Sequence, residues 1–358
     1  VFSLLLVDSS LIKTLGLRLP GASRLDYHSP AMDLELSPLW VLALALLIDL
    51  VCGELPRRLH PVIAMGHVID WARRVAPRTG RSAPFLWGAL LVIGGTAVCA
   101  GIGGGMERVL HALPVPLAWL ASALLLKTTF SLRELVHAGK SVQDRLESGN
   151  LPEARRMLGW HLVSRDTSRL DESQVAAAAI ESLAENASDS FVAPLLYFAV
   201  GGLAGAFAYR FLNTCDAMLG YRDAEREWLG KPAARLDDLA NIVPARATAV
   251  LLILAGICLR QNPLRALRTW FRDRSRTASP NAGHPMSAAA GVLGIELEKV
   301  GHYRLGEGLP HPQAADIGRM SRLLRVTAAL TIGAIFFVLV ATGSFDASPA
   351  SSRSATAR

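Results

Sequence analysis

The chain has 358 residues, 51% of them hydrophobic and 19% charged, with a mean hydropathy of +0.32. Soluble chains carry about 25% charged residues, so an ordinary soluble domain is excluded, and four cysteines are too few for a disulfide scaffold. Lys and Arg number 37 against 30 Asp and Glu, a net charge of +7 spread among loops. That distribution suits a membrane protein with basic cytoplasmic loops, and no nucleic-acid partner is expected.

Residues 1–31 are expected to be a start-site artefact or a disordered extension. Lys13 and Arg18 follow the apolar Leu4–Val7 run, the wrong order for a signal peptide, and Met32 is the better start. Six apolar stretches follow: Pro38–Val51, Phe85–Met106, Pro114–Phe130, Phe191–Leu212, Ile242–Leu259 and Leu323–Ala341. A membrane-crossing helix needs about 17–25 residues, so the second, fourth and sixth are sound candidates. The third and fifth lie near the lower bound, and the first is short unless it begins in Leu34–Ser37. Pro194 and the Gly201-Gly202 pair predict a kinked or broken fourth helix. The expectation is an all-α, polytopic integral membrane protein with about five to six transmembrane helices and long helical or loop insertions. Residues 32–343 read as one membrane-embedded catalytic domain and 344–358 as a disordered tail.

Cys52–Pro84 carries six Arg and a short amphipathic helix near Val68–Val75. Ser131–Ser190 has helical character over Leu151–Leu158 and the Ala-rich Ser173–Leu183. These two loops and Arg260–Arg322 share one side if all six stretches cross, and their basic residues make it cytoplasmic. Asn213–Ala240, with four basic residues, then faces outward, unless a broken fourth segment or an interfacial fifth brings it inside.

The informative positions are those where polar groups meet apolar ones. Asp49 ends a Leu-rich run and precedes Gly53, Glu54 and Pro56; an ionisable group at that depth is either an interface marker or functional. His60-Pro61 follows it. Glu181, Glu185 and Asp189 are spaced i,i+4 and share a helix face. Like charges so close repel unless a cation sits between them, which favours Mg²⁺ over a merely solvated face. Asn186 lies among them. Arg210, Asn213, Asp216, Tyr221, Arg222 and Asp223 close the fourth stretch, and Arg235, Asp237 and Asp238 precede the fifth as a site or a helix cap. Ser279 to Pro285 is a Pro-, Gly- and Asn-rich turn before a small-residue run, suited to an anion or simply to turning the chain. Arg165-Asp166-Thr167 offers a guanidinium clamp or a solvated basic loop. Gly139-Lys140-Ser141 ends like a P-loop but lacks its earlier glycine, and Gly101–Gly105 reads as close helix packing.

These segments, taken in order, resemble the cobinamide or adenosylcobinamide-phosphate synthase family of cobalamin biosynthesis over roughly residues 36–345. Asp49 to Gly66 resembles its opening motif, and Arg165-Asp166-Thr167 its central Arg-Asp-Thr. Glu181 to Pro194 is similar to its Glu-x-x-x-Glu-Asn-x-x-Asp segment ending in Ala-Pro. Tyr209 to Arg222, Asp237 to Arg246 and Ser279 to Pro285 resemble its following blocks. Glu54, Ser190 and His284 depart from the residues common in the family.

The resemblance implies an ATP- and Mg²⁺-dependent, amide-forming enzyme. Its substrates would be adenosylcobyric acid, a corrinoid, and (R)-1-amino-2-propanol or its O-phosphate. It implies Asp49, Glu185, Asp189 and Asp216 as catalytic residues, and Glu181, Glu185 and Asp189 as metal ligands. His60, Arg165, Asp166, Asn186, Arg210, Asn213 and Asn281 would bind substrate or phosphate. Other late corrin-pathway enzymes and membrane lipid are the implied partners, and a multi-pass position in the bacterial inner membrane the implied location. The alternatives are a secondary transporter, against which the lack of an internal repeat speaks, and a non-catalytic scaffold or regulator of corrinoid enzymes.

Overall fold

Helix starts follow the local chemistry of the sequence. Proline at the first turn opens helices at Pro38, Leu151 and Pro263. Asp171 and Gln174 form a reciprocal cap: the Gln174 backbone N–H donates to Asp171 Oδ1 at 2.8 Å, and the Asp171 N–H to Gln174 Oε1 at 3.0 Å. A computed structural model describes residues 37–54, 56, 60–221, 223 and 226–341. The expectations for residues 1–31, for the 344–358 tail and for Arg222 lie outside the described residues.

The described helices are α1 Pro38–Cys52, α2 Pro61–Arg74, α3 Ser82–Leu110, α4 Val115–Lys127, α5 Arg133–Glu147, α6 Leu151–His161 and α7 Glu172–Ala187. A π-helical turn, Ser188–Val192, leads into α8 Ala193–Leu219. Then come α9 Glu227–Ala240, α10 Ile242–Cys258, α11 Pro263–Asp273 and α12 Gly283–Leu293. A hairpin of β1 Leu297–Lys299 and β2 Tyr303–Leu305 pairs Leu297 with Leu305, and α13 Ala314–Ala341 follows. The fold is thus almost wholly helical, with one small antiparallel sheet among the described residues.

The expected five to six spans are corrected. Among the described residues, three helical segments are long and apolar enough, by length and composition, to cross a membrane: α3, the run Glu172–Leu219, and α13. The bent pair α9 and α10, meeting at 49°, makes at most a fourth. Helices α1 and α4 have only 15 and 13 residues, roughly 20 Å of helix against about 30 Å of hydrocarbon.

The broken fourth stretch is a helical hairpin. Gly201 (φ −132°, ψ 19°) and Gly202 (φ 58°, ψ −150°) leave the helical region. Beyond them the chain doubles back, since the Tyr197 and Tyr209 rings stack at 4.9 Å, where a straight helix would separate them by about 18 Å. A Cβ on Gly205 would lie 2.3 Å from the Tyr197 carbonyl, so glycine is what lets the two arms touch.

Two apolar cores result. One gathers α5, α6, α7, α10, α11, α12, the hairpin and the first half of α13. The other gathers α1 to α4, α8, α9 and the second half of α13. The run from α7 to α8 crosses from one core to the other at the π-turn, and it is there that the polar clusters meet.

Candidate active site

Five carboxylates line one cleft of about 240 Å³: Glu185 from α7, Asp189 from the π-turn, Asp216 from the end of α8, and Asp237 and Asp238 from α9. Ser188, Asn241, Ser279 and Asn281 complete its polar wall. Each arrives by a feature already described. The i,i+4 spacing aims Glu185 and Asp189 together, the Gly201–Gly202 reversal returns Asp216 to their level, and the bend after α9 presents Asp237 and Asp238. The turn leading into α12 closes the opposite side. Asn213–Ala240 therefore lines the same cleft as Ser131–Ser190 and Arg260–Arg322, as the broken-helix alternative requires.

The carboxylates differ in how they are held. Asp237 accepts hydrogen bonds from Asn213 Nδ2 at 3.3 Å and Asn241 Nδ2 at 2.9 Å. Asp238 accepts one from Ser279 Oγ at 3.0 Å, and its carbonyl takes the Asn281 amide at 2.6 Å. Among the described residues no hydrogen bond or salt bridge reaches the side chains of Glu185, Asp189 or Asp216. The charges of Asp237, Glu185 and Asp216 all act on Asp189, and Arg210 opposes them only in part. Among the described residues no group of three or more His, Cys, Asp and Glu forms a ready-made metal cage. The donor set nonetheless suits Mg²⁺, which takes one or two carboxylates and completes its shell with phosphates and water. A second chamber of about 560 Å³ shares Gly220, Ala234, Asp238 and Ala278 with the cleft, and carries Tyr221, Lys231 and Arg235 on its wall.

The remaining expected residues fall into three places. Asn213 and Asn281 orient cleft carboxylates, as above, and Asn281 Oδ1 also accepts from Arg246 at 3.1 Å. Asn186 is held within its own helix, donating to the Ser182 carbonyl at 2.9 Å and accepting from Ser190 Oγ at 3.0 Å. Arg210 sits near Glu54 and Asp189, with its buried Nε lacking a hydrogen-bond partner. Glu181 points away from the cleft wall, toward Arg165 at 3.7 Å. Its charge and that of Glu185 lie beside Tyr303, whose phenol burial pushes above its ordinary range, an effect the two charges reinforce. Asp166 caps a local turn, accepting from the Ser168 N–H at 2.9 Å, and is exposed.

Asp49 and His60 belong to a separate buried knot. Lys127, with no exposed surface, places Nζ 3.1 Å from Asp49 Oδ1, 2.9 Å from Glu54 Oε1 and 3.2 Å from the Phe130 carbonyl. Asp49 also accepts the Arg133 backbone N–H at 3.1 Å, and His60 pairs with Glu54 at 3.1 Å. Burial alone would raise the Glu54 carboxyl, but hydrogen bonds from His60 and Lys127 and the Lys127 charge outweigh it and hold the group at about 2. One bond ties this knot to the cleft, from the Ser131 N–H to the Ser190 carbonyl of the π-turn at 3.0 Å.

Two contributors are not evident from sequence. Lys127 ends an apolar run and looks like an ordinary interfacial lysine, while Ser188 is an unremarked position between Asn186 and Asp189. On the far side of the Asn281 turn, the Trp270 indole donates to His284 Nδ1 at 3.2 Å. Burial, with the charges of Arg246 and Arg274, lowers that imidazole to about 4.

No solved structure matches the chain. The model of the family described as CobD/Cbib protein matches residues 42–332. A probable cobalamin biosynthesis protein CobD of Methanothermobacter thermautotrophicus is 40% identical, covering 85% of this chain and 100% of its own length. The cobalamin biosynthesis protein CobD of Dehalococcoides mccartyi is 38% identical over 85% of this chain and 99% of its own length. That of Klebsiella pneumoniae is 35% identical over 80% and 93%. The match runs from α1 to α13, through every element that lines the cleft, and at that extent and identity the chain belongs to the CobD/Cbib family.

Proposed function

We propose that the protein is a cobalamin-biosynthesis enzyme of the bacterial inner membrane. It joins (R)-1-amino-2-propanol, or its O-phosphate, to the propionate carboxylate of adenosylcobyric acid. The observation that carries this reading is the set of unpaired carboxylates, Glu185, Asp189 and Asp216, in one cleft at the junction of the two apolar cores. Three uncompensated acids so close are costly unless a cation answers them. Glu185 and Asp189 would hold Mg²⁺, and ATP with that ion would supply the activation that a carboxylate needs before an amine can displace oxygen.

The chain's own groups then have distinct duties. Asp216 neutralises the incoming ammonium and takes its proton as nitrogen becomes the nucleophile. Asp237, fixed by Asn213 and Asn241, and Asp238, fixed by Ser279, hold that wall rigid. Arg210 and Arg165, with unpaired Nε–H groups, take an anionic oxygen of phosphate or carboxylate. Asn281 sets the opposite lip through Arg246 and the Asp238 carbonyl. Asp49, His60 and Glu54 act at a distance, by fixing the segment that hydrogen-bonds the π-turn. Glu181 anchors Arg165 rather than the cation.

Purified protein in detergent, given adenosylcobyric acid, ATP, Mg²⁺ and either amine, is expected to yield the amide, identified by mass. No product with either amine, from protein shown to be folded, would remove the synthase reading. A transporter would instead move a corrinoid or amine across vesicles without changing its mass.

A further inference from the structure

Among the described residues, Ser188 is the one cleft-lining hydroxyl with no hydrogen-bond partner. It is 1% exposed, and its Oγ has no hydrogen-bond partner. Several helical hydroxyls in this chain donate to the carbonyl four residues back, as in Thr214 to Arg210, Thr248 to Pro244, Ser287 to Gly283 and Ser321 to Ile317, whereas Thr96 and Ser122, away from the cleft, share the unpaired state of Ser188. Ser188 opens the π-turn, where the regular backbone ladder is interrupted, and its hydroxyl makes no such bond. Its neighbour Ser190 is satisfied by Asn186. A buried hydroxyl left unpaired is costly and marks a place where a ligand supplies the missing partner.

We infer that the Ser188 hydroxyl is a substrate contact, donating to an oxygen of the small amine substrate. This rests on the amide-synthase reading and names the occupant of the inner cleft. At about 240 Å³ the cleft is below the roughly 300–1,000 Å³ of sites for drug-sized ligands. A corrin ring or a nucleotide must lie outside it, whereas a short amino alcohol fits within. The carboxylate wall suits the ammonium end of such a molecule. Ionised carboxylates are acceptors only, so Ser188 is the donor available beside Glu185 and Asp189 for the alcohol or phosphate oxygen at the other end.

The test is calorimetric titration of the full-length protein in detergent with Mg²⁺, using 1-amino-2-propanol in one arm and its O-phosphate in the other. Ser188→Ala is expected to weaken binding of the preferred amine about tenfold, and Ser188→Thr to stay within a few-fold of wild type. Ser188→Cys, close in size but a weak donor, replaces Ser188→Ala if that variant does not fold, with the same loss expected. Ser188→Ala binding both amines within twofold of wild type, at an unchanged unfolding temperature, would overturn the contact. So would a wild-type protein that binds neither amine. Binding that depends on Ser188 in protein that makes no amide would keep the contact and remove the reaction, so the two failures are separable.

Discussion

The Lys127 ammonium donates to Glu54 and to the Phe130 carbonyl and lies 3.1 Å from Asp49 Oδ1, with Lys127 and Asp49 buried and Glu54 at the water-facing edge. Removing the lysine leaves the buried Asp49 carboxylate without its counter-ion. Lys127→Met is therefore expected to cost about 3–5 kcal/mol of unfolding free energy in chemical denaturation, and a cost below about 1 kcal/mol would contradict the knot. Two groups in separate places, His284 and Glu54, give opposite ends of an acid profile. His284 titrates near 4 in the folded protein against an ordinary 6.5, so the unfolded chain takes its proton first. The stability His284 contributes is whole above 6.5 and is lost as pH falls toward 4. Glu54, at about 2 against an ordinary 4.5, keeps its contribution until below 4.5 and loses it toward 2. Unfolding temperature followed against pH should thus lose its slope between 6.5 and 4 in His284→Gln, and only below 4.5 in Glu54→Gln. Sequence spacing brought Glu185 and Asp189 together because a helix enforces it. The partner of Asp49 was hidden, since Lys127 lies 78 residues further along and only the packing of α1 against α4 joins them.

The hairpin within α8 is the element on which the cleft depends. Gly202 combines positive φ with an extended ψ, a region nearly closed to other residues, and a Cβ there would meet Glu107 Oε1 at 2.6 Å. Gly202→Ala is expected to destabilise by about 1–3 kcal/mol and to lower turnover, because Asp216 reaches Asp189 only through this reversal. Gly101 and Gly105 sit in the same apolar setting with nothing within 4 Å of an added Cβ. Alanine at either should be neutral or stabilise by up to about 1 kcal/mol. Equal effects at Gly202 and Gly101 would mean that the reversal is not what holds the site. Pro194 and the Gly-Gly pair made a break legible in the sequence, but not its sense; the stacking of Tyr197 on Tyr209 is a tertiary fact. Apolar length overstated the spans for a related reason. Thr128 and Thr129 turn their hydroxyls back to the Leu125 and Leu126 carbonyls where α4 ends, so the run's last apolar residue, Phe130, lies beyond the helix.

For the whole molecule, the arrangement of two cores about one junction decides which loops share a side. Asp216, Asp237 and Asp238 line the same cleft as Glu185 and Asn281, so the segment once expected to face outward must open to the compartment that holds the α5–α6 turn. Cysteine introduced at exposed Arg235 and at exposed Ser148, with Cys52 and Cys258 replaced, should react alike with an impermeant maleimide in intact and in broken cells. Labelling of Arg235→Cys alone in intact cells would contradict the common side. The family of the chain was readable from ordered motifs, and the acids of the cleft from their spacing. The division between cleft and knot was not, because both present carboxylates at the ends of apolar runs, and only the Lys127 ammonium distinguishes them. The account's central claim is that chemistry resides in the open carboxylates of the cleft. Turnover of Asp189→Asn, measured as amide formed by purified folded protein, tests it most directly. A loss of roughly 10²–10³-fold is predicted, at an unfolding temperature equal to or above wild type because a buried repulsion is relieved. Turnover within a few-fold of wild type would contradict it.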